Sequence, residues 1–316
     1  MWFILALVAA LAWGGTDYFA KRGTCPSDKY SHWRMAVMVG AVMGLHAVAM
    51  MIYNYFSGGE TYSLKSIITY LPVSSMYILS MMIGYVGLRY LELSIISPVQ
   101  NMSGAIVPIL CFVFLDETMT PAQLVFVIAI LAGILSLAIV EKRADDGLDR
   151  EAPHEQETRK GKSDKYRFGA LALIFPICYA VIDSLGTFFD SYYLDGDEPI
   201  LSEFQANTSY ELTFLLVGIF ALIYLTAVKK QKFSFWGERI FGASALCETA
   251  GQFAYIYAIA SNSIVAVPVV ASYSIFSLLY SRVFLKEKLS LPHYICIAVV
   301  VAGIVGLGVL EGLAEA

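Results

Sequence analysis

Residues 237–259, GERIFGASALCETAGQFAYIYAI, form an apolar run that is long enough to cross a lipid bilayer as one helix. Glu248 stands at its centre, 11 residues from either end, which is roughly 16 Å by helical rise. A charge at that depth costs several kcal/mol unless the side chain faces a partner or a water-filled cavity. The stretch therefore predicts a membrane-spanning fold with a polar site inside it.

The composition of the whole chain agrees with this interpretation. Hydrophobic residues make up 58% of the sequence and charged residues only 15%, and the mean hydropathy is +0.66. These values lie outside the range of soluble globular proteins. Because the apolar residues surround every predicted helix instead of following one face, a soluble helical bundle is excluded.

Apolar runs of spanning length occur ten times, which predicts an all-α membrane protein with ten transmembrane helices. The runs lie near residues 2–20, 33–53, 67–91, 95–115, 121–140, 168–189, 201–228, 237–259, 263–285 and 291–310. The N-terminal run, MWFILALVAALAWGG, lacks the basic leader of a signal peptide, so we expect it to remain as the first helix.

Charged residues concentrate in one segment, 141–167, which holds 16 of the 47 charges of the chain. Its eight acids and eight bases predict a solvated linker without a net sign that would attract nucleic acid. With ten spans, twenty Lys and Arg residues fall on the linker side of the membrane and only Lys65 on the other. This asymmetry predicts a cytoplasmic linker and external termini in the cell membrane.

The two halves of the chain share an internal repeat. Four residues recur 170 positions later, Tyr85 as Tyr255, Pro98 as Pro268, Glu117 as Glu287 and Gly133 as Gly303, and two recur 166 positions later, Trp13 as Tyr179 and Asp17 as Asp183. An odd number of spans in each half places the second copy upside down relative to the first. We therefore expect inverted five-helix repeats at 1–140 and 168–316, joined by the linker 141–167.

Residues 87–134, GLRYLELSIISPVQNMSGAIVPILCFVFLDETMTPAQLVFVIAILAGI, resemble the EamA repeat of the drug/metabolite transporter superfamily. The family's hallmark positions match Arg89-Tyr90, Pro98, Glu117 and Gly133 in the first half and Pro268, Glu287 and Gly303 in the second, and Ala12-Trp13-Gly14-Gly15 is similar to the family's L-W-G start. Ile259 replaces the second basic residue. The resemblance implies a ten-helix transporter. Characterised relatives are generally drawn with cytoplasmic termini, the reverse of the orientation that the charges predict here.

On the run that contains Glu248, polar residues recur at three- and four-residue steps and so share one helix face. We expect Glu248, Gln252 and Tyr255 to line a central cavity and bind substrate. A desolvated carboxyl group at position 248 could carry a proton or attract a cation, which makes it the proton-coupling candidate. The alternative is a protonated glutamate that holds two helices together by a hydrogen bond.

Nine further residues are candidates for the same substrate-binding cavity. They are Trp13, Asp17, Tyr85, Asn101, Tyr179, Asp183, Asn207, Glu211 and Tyr273. Asp17 could instead pair with Lys21 one turn away. His46 is either a proton relay or a hydrogen-bonded packing residue.

An acidic cavity rich in aromatic rings favours an organic cation, because carboxylates pair with its charge and rings bind it through cation–π contact. The chain has 20 Tyr, 19 Phe and 4 Trp residues, and Arg89 is the only candidate base near the cavity. We therefore predict a transporter of an amine or quaternary ammonium metabolite that works by alternating access. An exporter of neutral amino acids or mixed drugs is the alternative within this class.

A non-transport membrane subunit or an intramembrane enzyme is the alternative outside this class, but no catalytic motif supports an enzyme. The five cysteines show no metal-binding or disulfide pattern, and neither a cofactor nor a metal is predicted. The expected partners are the bilayer and a small-molecule substrate. The sequence leaves the oligomeric state open.

Overall fold

A computed structural model describes residues 1–24, 28–87, 100–115, 117–151, 174–194, 199–285 and 289–314. Within these ranges every regular element is a helix. The helices are α1 (Trp2–Gly23), α2 (Ser31–Ser57), α3 (Lys65–Gly87), α4 (Ser103–Phe114), α5 (Pro121–Glu151), α6 (Ile174–Leu194), α7 (Glu203–Ile223), α8 (Arg239–Ala271), α9 (Tyr273–Leu285) and α10 (Leu291–Ala314). A π-helical turn, Tyr224–Val228, extends α7.

Seven helices in the described ranges are long and apolar enough to cross a membrane, and one of these, Arg239–Phe284, joins α8 and α9. Two shorter apolar helices, Ser103–Phe114 and Pro121–Leu137, accompany them. The protein is therefore an all-helical, multi-pass membrane protein, as the composition predicted. Parts of the predicted spans 67–91, 95–115 and 168–189 lie outside the described residues, and the count of ten spans stays a prediction.

The fifth helix differs from the sequence prediction at its C-terminal end. The apolar run predicted the fifth span at 121–140, whereas α5 continues to Glu151, inside the charged segment 141–167 for which a linker stays a prediction. Glu, Lys, Arg, Ala and Leu, which dominate residues 141–151, are all good helix formers, so a helix can continue beyond its apolar part.

The helix α8 is interrupted by a kink at Asn262, whose φ of −167° and ψ of 80° are not helical. This kink lies between the apolar runs 237–259 and 263–285 that predicted two separate spans. Glu117, from the first half of the chain, caps the helix that follows the kink. Its carboxylate accepts hydrogen bonds from Ser263 Oγ at 2.6 Å and from the Ile264 backbone N–H at 3.1 Å. The hallmark glutamate therefore has a structural partner, since free N–H groups at a helix start need acceptors.

Contacts between the halves define two faces of the bundle. On the face where α1 ends and α2 begins, here called the linker face, Arg34 of α2 pairs with Glu238 at 2.7 Å, next to the start of α8. On the opposite face, Gln205 of α7 donates to Glu60 at 2.9 Å, and Ser202 donates to the same carboxylate at 2.5 Å. Each face is thus held by hydrogen bonds between the halves.

Helices of the two halves pack in pairs, with α1 against α8, α2 against α7, α3 against α6 and α5 against α10. Glycines allow the closest approach. A Cβ atom on Gly40 of α2 would lie 2.6 Å from the Phe214 carbonyl oxygen and 2.9 Å from the Cα of Gly218, both in α7. Small residues serve this purpose in membrane bundles, where close contact replaces the hydrophobic effect as the driving force.

Candidate functional site

A cavity of about 110 Å³ lies between helices of both halves. Ten tyrosine, tryptophan and carboxyl side chains lie in its wall, and the other lining residues are mostly small or polar. The lining residues are Trp13, Thr16, Asp17, Ala20, Tyr77, Met81, Gly84, Tyr85, Gln100, Asn101, Ser103, Tyr179, Asp183, Thr187, Tyr210, Glu248, Gln252, Tyr255, Val267, Val270, Ala271 and Tyr273.

Ten of the twelve residues that the sequence singled out lie in this wall. They are Trp13, Asp17, Tyr85, Asn101, Tyr179, Asp183, Glu248, Gln252, Tyr255 and Tyr273. They come from α1, α3, α6, α8 and α9, and Asn101 lies two residues before α4, so long-range packing brings them together. Whether they bind substrate stays a prediction.

The α1–α8 contact holds Glu248 at the cavity wall. Ser244 Oγ donates to the Thr16 carbonyl oxygen at 2.8 Å, one turn before Glu248 on α8. The Thr16 hydroxyl donates in return to the Ser244 carbonyl oxygen at 3.4 Å, and Glu248 as a whole is 6% exposed. The backbone one turn before this carboxyl group is therefore held by contacts to the other half of the chain.

Trp13 owes its position to a glycine. A Cβ atom on Gly251 would lie 2.5 Å from the indole ring, so only glycine leaves room for Trp13 against α8. The indole packs on the Tyr255 ring with centroids 5.1 Å apart and meets the Tyr273 ring edge-on at 6.1 Å. These three rings form an aromatic wall next to Glu248.

All charged side chains in the described wall of the cavity are acidic. Asp17, Asp183 and Glu248 all line it, and the first two act electrostatically on the third. Among the described lining residues there is no Lys, Arg or His. Lys21 acts electrostatically on Asp17 from outside this lining, so the described wall itself supplies only acidic charge.

Several polar atoms at the cavity have no hydrogen-bond partner within the part of the chain that the structure describes. Asp17 Oδ2, Tyr85 Oη and Gln252 Nε2 are buried in this way. Leaving a buried polar group unpaired costs about 1–3 kcal/mol. These atoms are therefore available to a ligand or to water in the cavity.

Asn207 and Glu211, the other two predicted site residues, do not line the cavity. Glu211 accepts from His46 Nδ1, at 2.8 and 2.9 Å to its two oxygens, and from Asn207 Nδ2 at 3.0 Å. Helical spacing placed Asn207 and Glu211 on one face of α7. This face packs against α2 and not against the cavity, which the spacing could not show. His46 is hydrogen-bonded to Glu211, a contact that both roles foreseen for it, proton relay and packing residue, would include.

The sequence reasoning missed several lining residues. They are Thr16, Met81, Gln100, Ser103, Tyr77, Thr187 and Tyr210. Helical spacing could have found some of them, since Tyr77, Met81 and Tyr85 stand four residues apart on α3. Arg89, Pro98 and Glu287 lie outside the described residues. In the described ranges, no three His, Cys, Asp or Glu side chains are arranged to hold a metal ion.

Comparisons with known proteins place this geometry in context. The model of the EamA-like transporter family matches two segments, residues 1–139 and 170–309. An uncharacterized protein of Methanocaldococcus jannaschii is 27% identical over 137 residues, which are 43% of this chain and 95% of that protein. A solved crystal structure with 15% identity superimposes with a TM-score of 0.65 and covers 98% of both chains, so the fold as a whole is shared.

Proposed function

This chain belongs to the EamA-like transporter family, and on that premise we propose that it moves a small organic cation, an amine or a quaternary ammonium compound, across the cell membrane. One observation carries the substrate class. Three carboxyl groups, Asp17, Asp183 and Glu248, line one cavity, and no basic side chain accompanies them among the described lining residues. The family makes the protein a membrane transporter of small substrates; the charge of the substrate is our inference.

The aromatic wall supports the same substrate class. Trp13, Tyr255 and Tyr273 present rings beside Glu248, and ring faces attract ammonium groups at distances up to about 6 Å. A phosphate or carboxylate substrate would instead meet three acidic groups without a described cationic partner. Such a substrate would need the bidentate basic contacts that anion sites commonly use.

We further propose ten transmembrane helices in two inverted repeats, 1–140 and 168–316, with 141–167 between them. The packing supports this arrangement. Each helix of the first half has its counterpart five helices later in the second half. Replacing every helix by its counterpart turns the α1–α8 pair into the α6–α3 pair and leaves the α2–α7 and α5–α10 pairs unchanged, as two related repeats require. A relative about half as long as this chain and two separate family matches agree with repeated units.

We propose alternating access as the mechanism, and the contacts between the halves support it. Opening the linker face requires loss of the Arg34–Glu238 ion pair, and opening the opposite face requires loss of the Glu60–Gln205 hydrogen bond. Rocking one half against the other breaks one set while keeping the second, so the cavity faces one side at a time.

Glu248 is our candidate for coupling transport to protons. In the empty cavity a proton neutralises its carboxyl group, and in the loaded cavity the bound cation replaces that proton. A single buried carboxyl group that holds either a proton or a cation exchanges one for the other across the membrane. Asp17 and Asp183, which line the same cavity, add further acceptors for the substrate charge.

The orientation of the protein follows from the distribution of Lys and Arg. We propose that residues 141–167 are cytoplasmic and that both termini are external, because twenty of the 21 basic residues fall on the linker side. This is the reverse of the arrangement usual for the family.

Thermal stabilisation of the purified protein tests the substrate class. Choline is compared with dimethylbutanol, its uncharged carbon isostere, and with leucine as a neutral amino acid. We expect choline and related quaternary ammonium compounds to raise the melting temperature and dimethylbutanol to leave it unchanged, since a ligand stabilises the state that binds it. Equal stabilisation by the isostere, or stabilisation by leucine alone, would contradict the proposal and favour a neutral-substrate exporter.

A further inference from the structure

A fourth buried carboxyl group, Asp190, lies next to the cavity without lining it. It is in α6, is 0% exposed, and accepts hydrogen bonds from the hydroxyls of Tyr70 and Tyr77, the second at 3.1 Å. Tyr77 itself lines the cavity. A buried carboxyl group with two tyrosine donors is therefore one residue removed from the substrate site.

The Tyr77 hydroxyl connects Asp190 to the cavity. Besides Asp190, it contacts Tyr255 Oη at 3.0 Å and Thr187 Oγ1 at 3.2 Å. Tyr255 belongs to the aromatic wall beside Glu248. A continuous path of hydrogen bonds thus runs from Asp190 through Tyr77 to a ring that faces the substrate.

Counting donors fixes the direction of these hydrogen bonds. A tyrosine hydroxyl has a single hydrogen to donate. When Asp190 is ionised, Tyr77 donates its hydrogen to the carboxylate, so Tyr255 donates to Tyr77. The Tyr255 hydroxyl oxygen can then act toward the cavity only as a hydrogen-bond acceptor, through its lone pairs.

Protonation of Asp190 reverses the path. Within the described part of the chain, Asp190 is the acceptor available to the Tyr70 hydroxyl, so Tyr70 donates to it in both states. A neutral Asp190 must then donate its own proton to Tyr77. Tyr77 in turn donates its single hydrogen to Tyr255 or to Thr187. When it donates to Tyr255, the hydrogen of Tyr255 is released from Tyr77 and can be donated to Thr187 or into the cavity.

We propose that Asp190 acts through Tyr77 as a positioning residue that sets whether Tyr255 accepts or donates a hydrogen bond in the cavity. An accepting Tyr255 favours an ammonium group, and a donating Tyr255 disfavours one, so the state of Asp190 tunes substrate selectivity and release. The consequence for selectivity rests on the proposed function, whereas the relay itself does not.

Other titratable groups near Asp190 must be separated from it. They are Tyr70 and Tyr77 on α3, Tyr255 on α8, Asp183 two turns earlier on α6, and Cys111 of α4, which interacts with the neighbouring Ser191. Among the residues described in the structure, no basic side chain bonds to Asp190. Asp183, and Glu248 beside the aromatic wall, are therefore further carboxyl groups that could act on Tyr255 through space.

Fluorine NMR of the ligand-free protein with fluorotyrosine at position 255 tests the relay. We expect its resonance to shift as the pH is varied over the range in which the protein stays folded. The shift should be lost in Asp190→Asn and equally in Tyr77→Phe, and it should persist in Asp183→Asn. Fluorotyrosine at position 273, which has no hydrogen bond to this path, should respond to pH identically with and without the Asp190→Asn change.

Three outcomes would overturn the proposal: no titration at position 255, a titration that survives Asp190→Asn, or one that survives Tyr77→Phe and so acts through space. Tyr77→Phe removes one oxygen atom and tests the path alone if Asp190→Asn does not fold. No substrate is added, so a protein that fails to bind choline would contradict the proposed function and leave this test intact.

Discussion

The substitution Glu248→Gln removes the ability of one cavity residue to ionise while keeping its size and most of its hydrogen bonds. The residue is 6% exposed, so solvent screens its interactions little. A hydrogen bond to a charged group contributes about 1.5–3 kcal/mol. Converted at about 1.4 kcal/mol per factor of ten, the affinity for a cation should fall by about ten- to one-hundred-fold. Asp17 and Asp183 remain, so binding should weaken without being abolished.

The assay is uptake into proteoliposomes together with binding in detergent, each measured as a function of pH. We expect uptake to collapse, affinity to fall by the factor given above, and the pH dependence of binding to flatten. Glu203→Gln makes the same chemical change in the first turn of α7, outside the cavity, and should leave all three measurements unchanged. A Glu248→Gln protein with normal uptake, affinity and pH profile would refute the reasoning and leave a packing role for Glu248.

Three further predictions test other parts of the structure. Gly251→Val should push Trp13 from its place and so reduce cation binding. Overpacking of this kind should destabilise the protein by about 1–3 kcal/mol. An unchanged melting temperature together with unchanged binding would contradict the close contact between Gly251 and Trp13. Glu117→Ala should lower stability by about 1–2 kcal/mol through loss of a helix cap, with little change in affinity; a loss of binding without loss of stability would instead assign it to the substrate site. A cysteine introduced at Ser163 should be shielded from impermeant thiol reagents in intact cells, and labelling from outside would reverse the proposed orientation.

Local periodicity was sufficient to predict much of the candidate site. Glu248, Gln252 and Tyr255 were expected on one face because three- and four-residue steps superimpose side chains along a helix. The internal repeat then selected Asp17 and Asp183 as a related pair. Both inferences use distances along the chain, which the sequence contains.

The interactions that the sequence did not predict are contacts between distant helices. Periodicity placed Asn207 and Glu211 on one face of α7 but could not show that this face meets His46 of α2 instead of the cavity. The cap that Glu117 provides to the helix after Asn262 joins residues 146 positions apart. Such pairings depend on how the halves pack, which no local pattern encodes.

The most direct test of the account is uptake of labelled amines and quaternary ammonium compounds by wild-type proteoliposomes under an imposed pH gradient, each compared with its uncharged isostere. The account predicts that at least one cation accumulates inside the vesicles, that its isostere does not, and that collapsing the gradient abolishes the accumulation. Accumulation of leucine or another neutral amino acid, with no cation taken up above the level of protein-free vesicles, would contradict it.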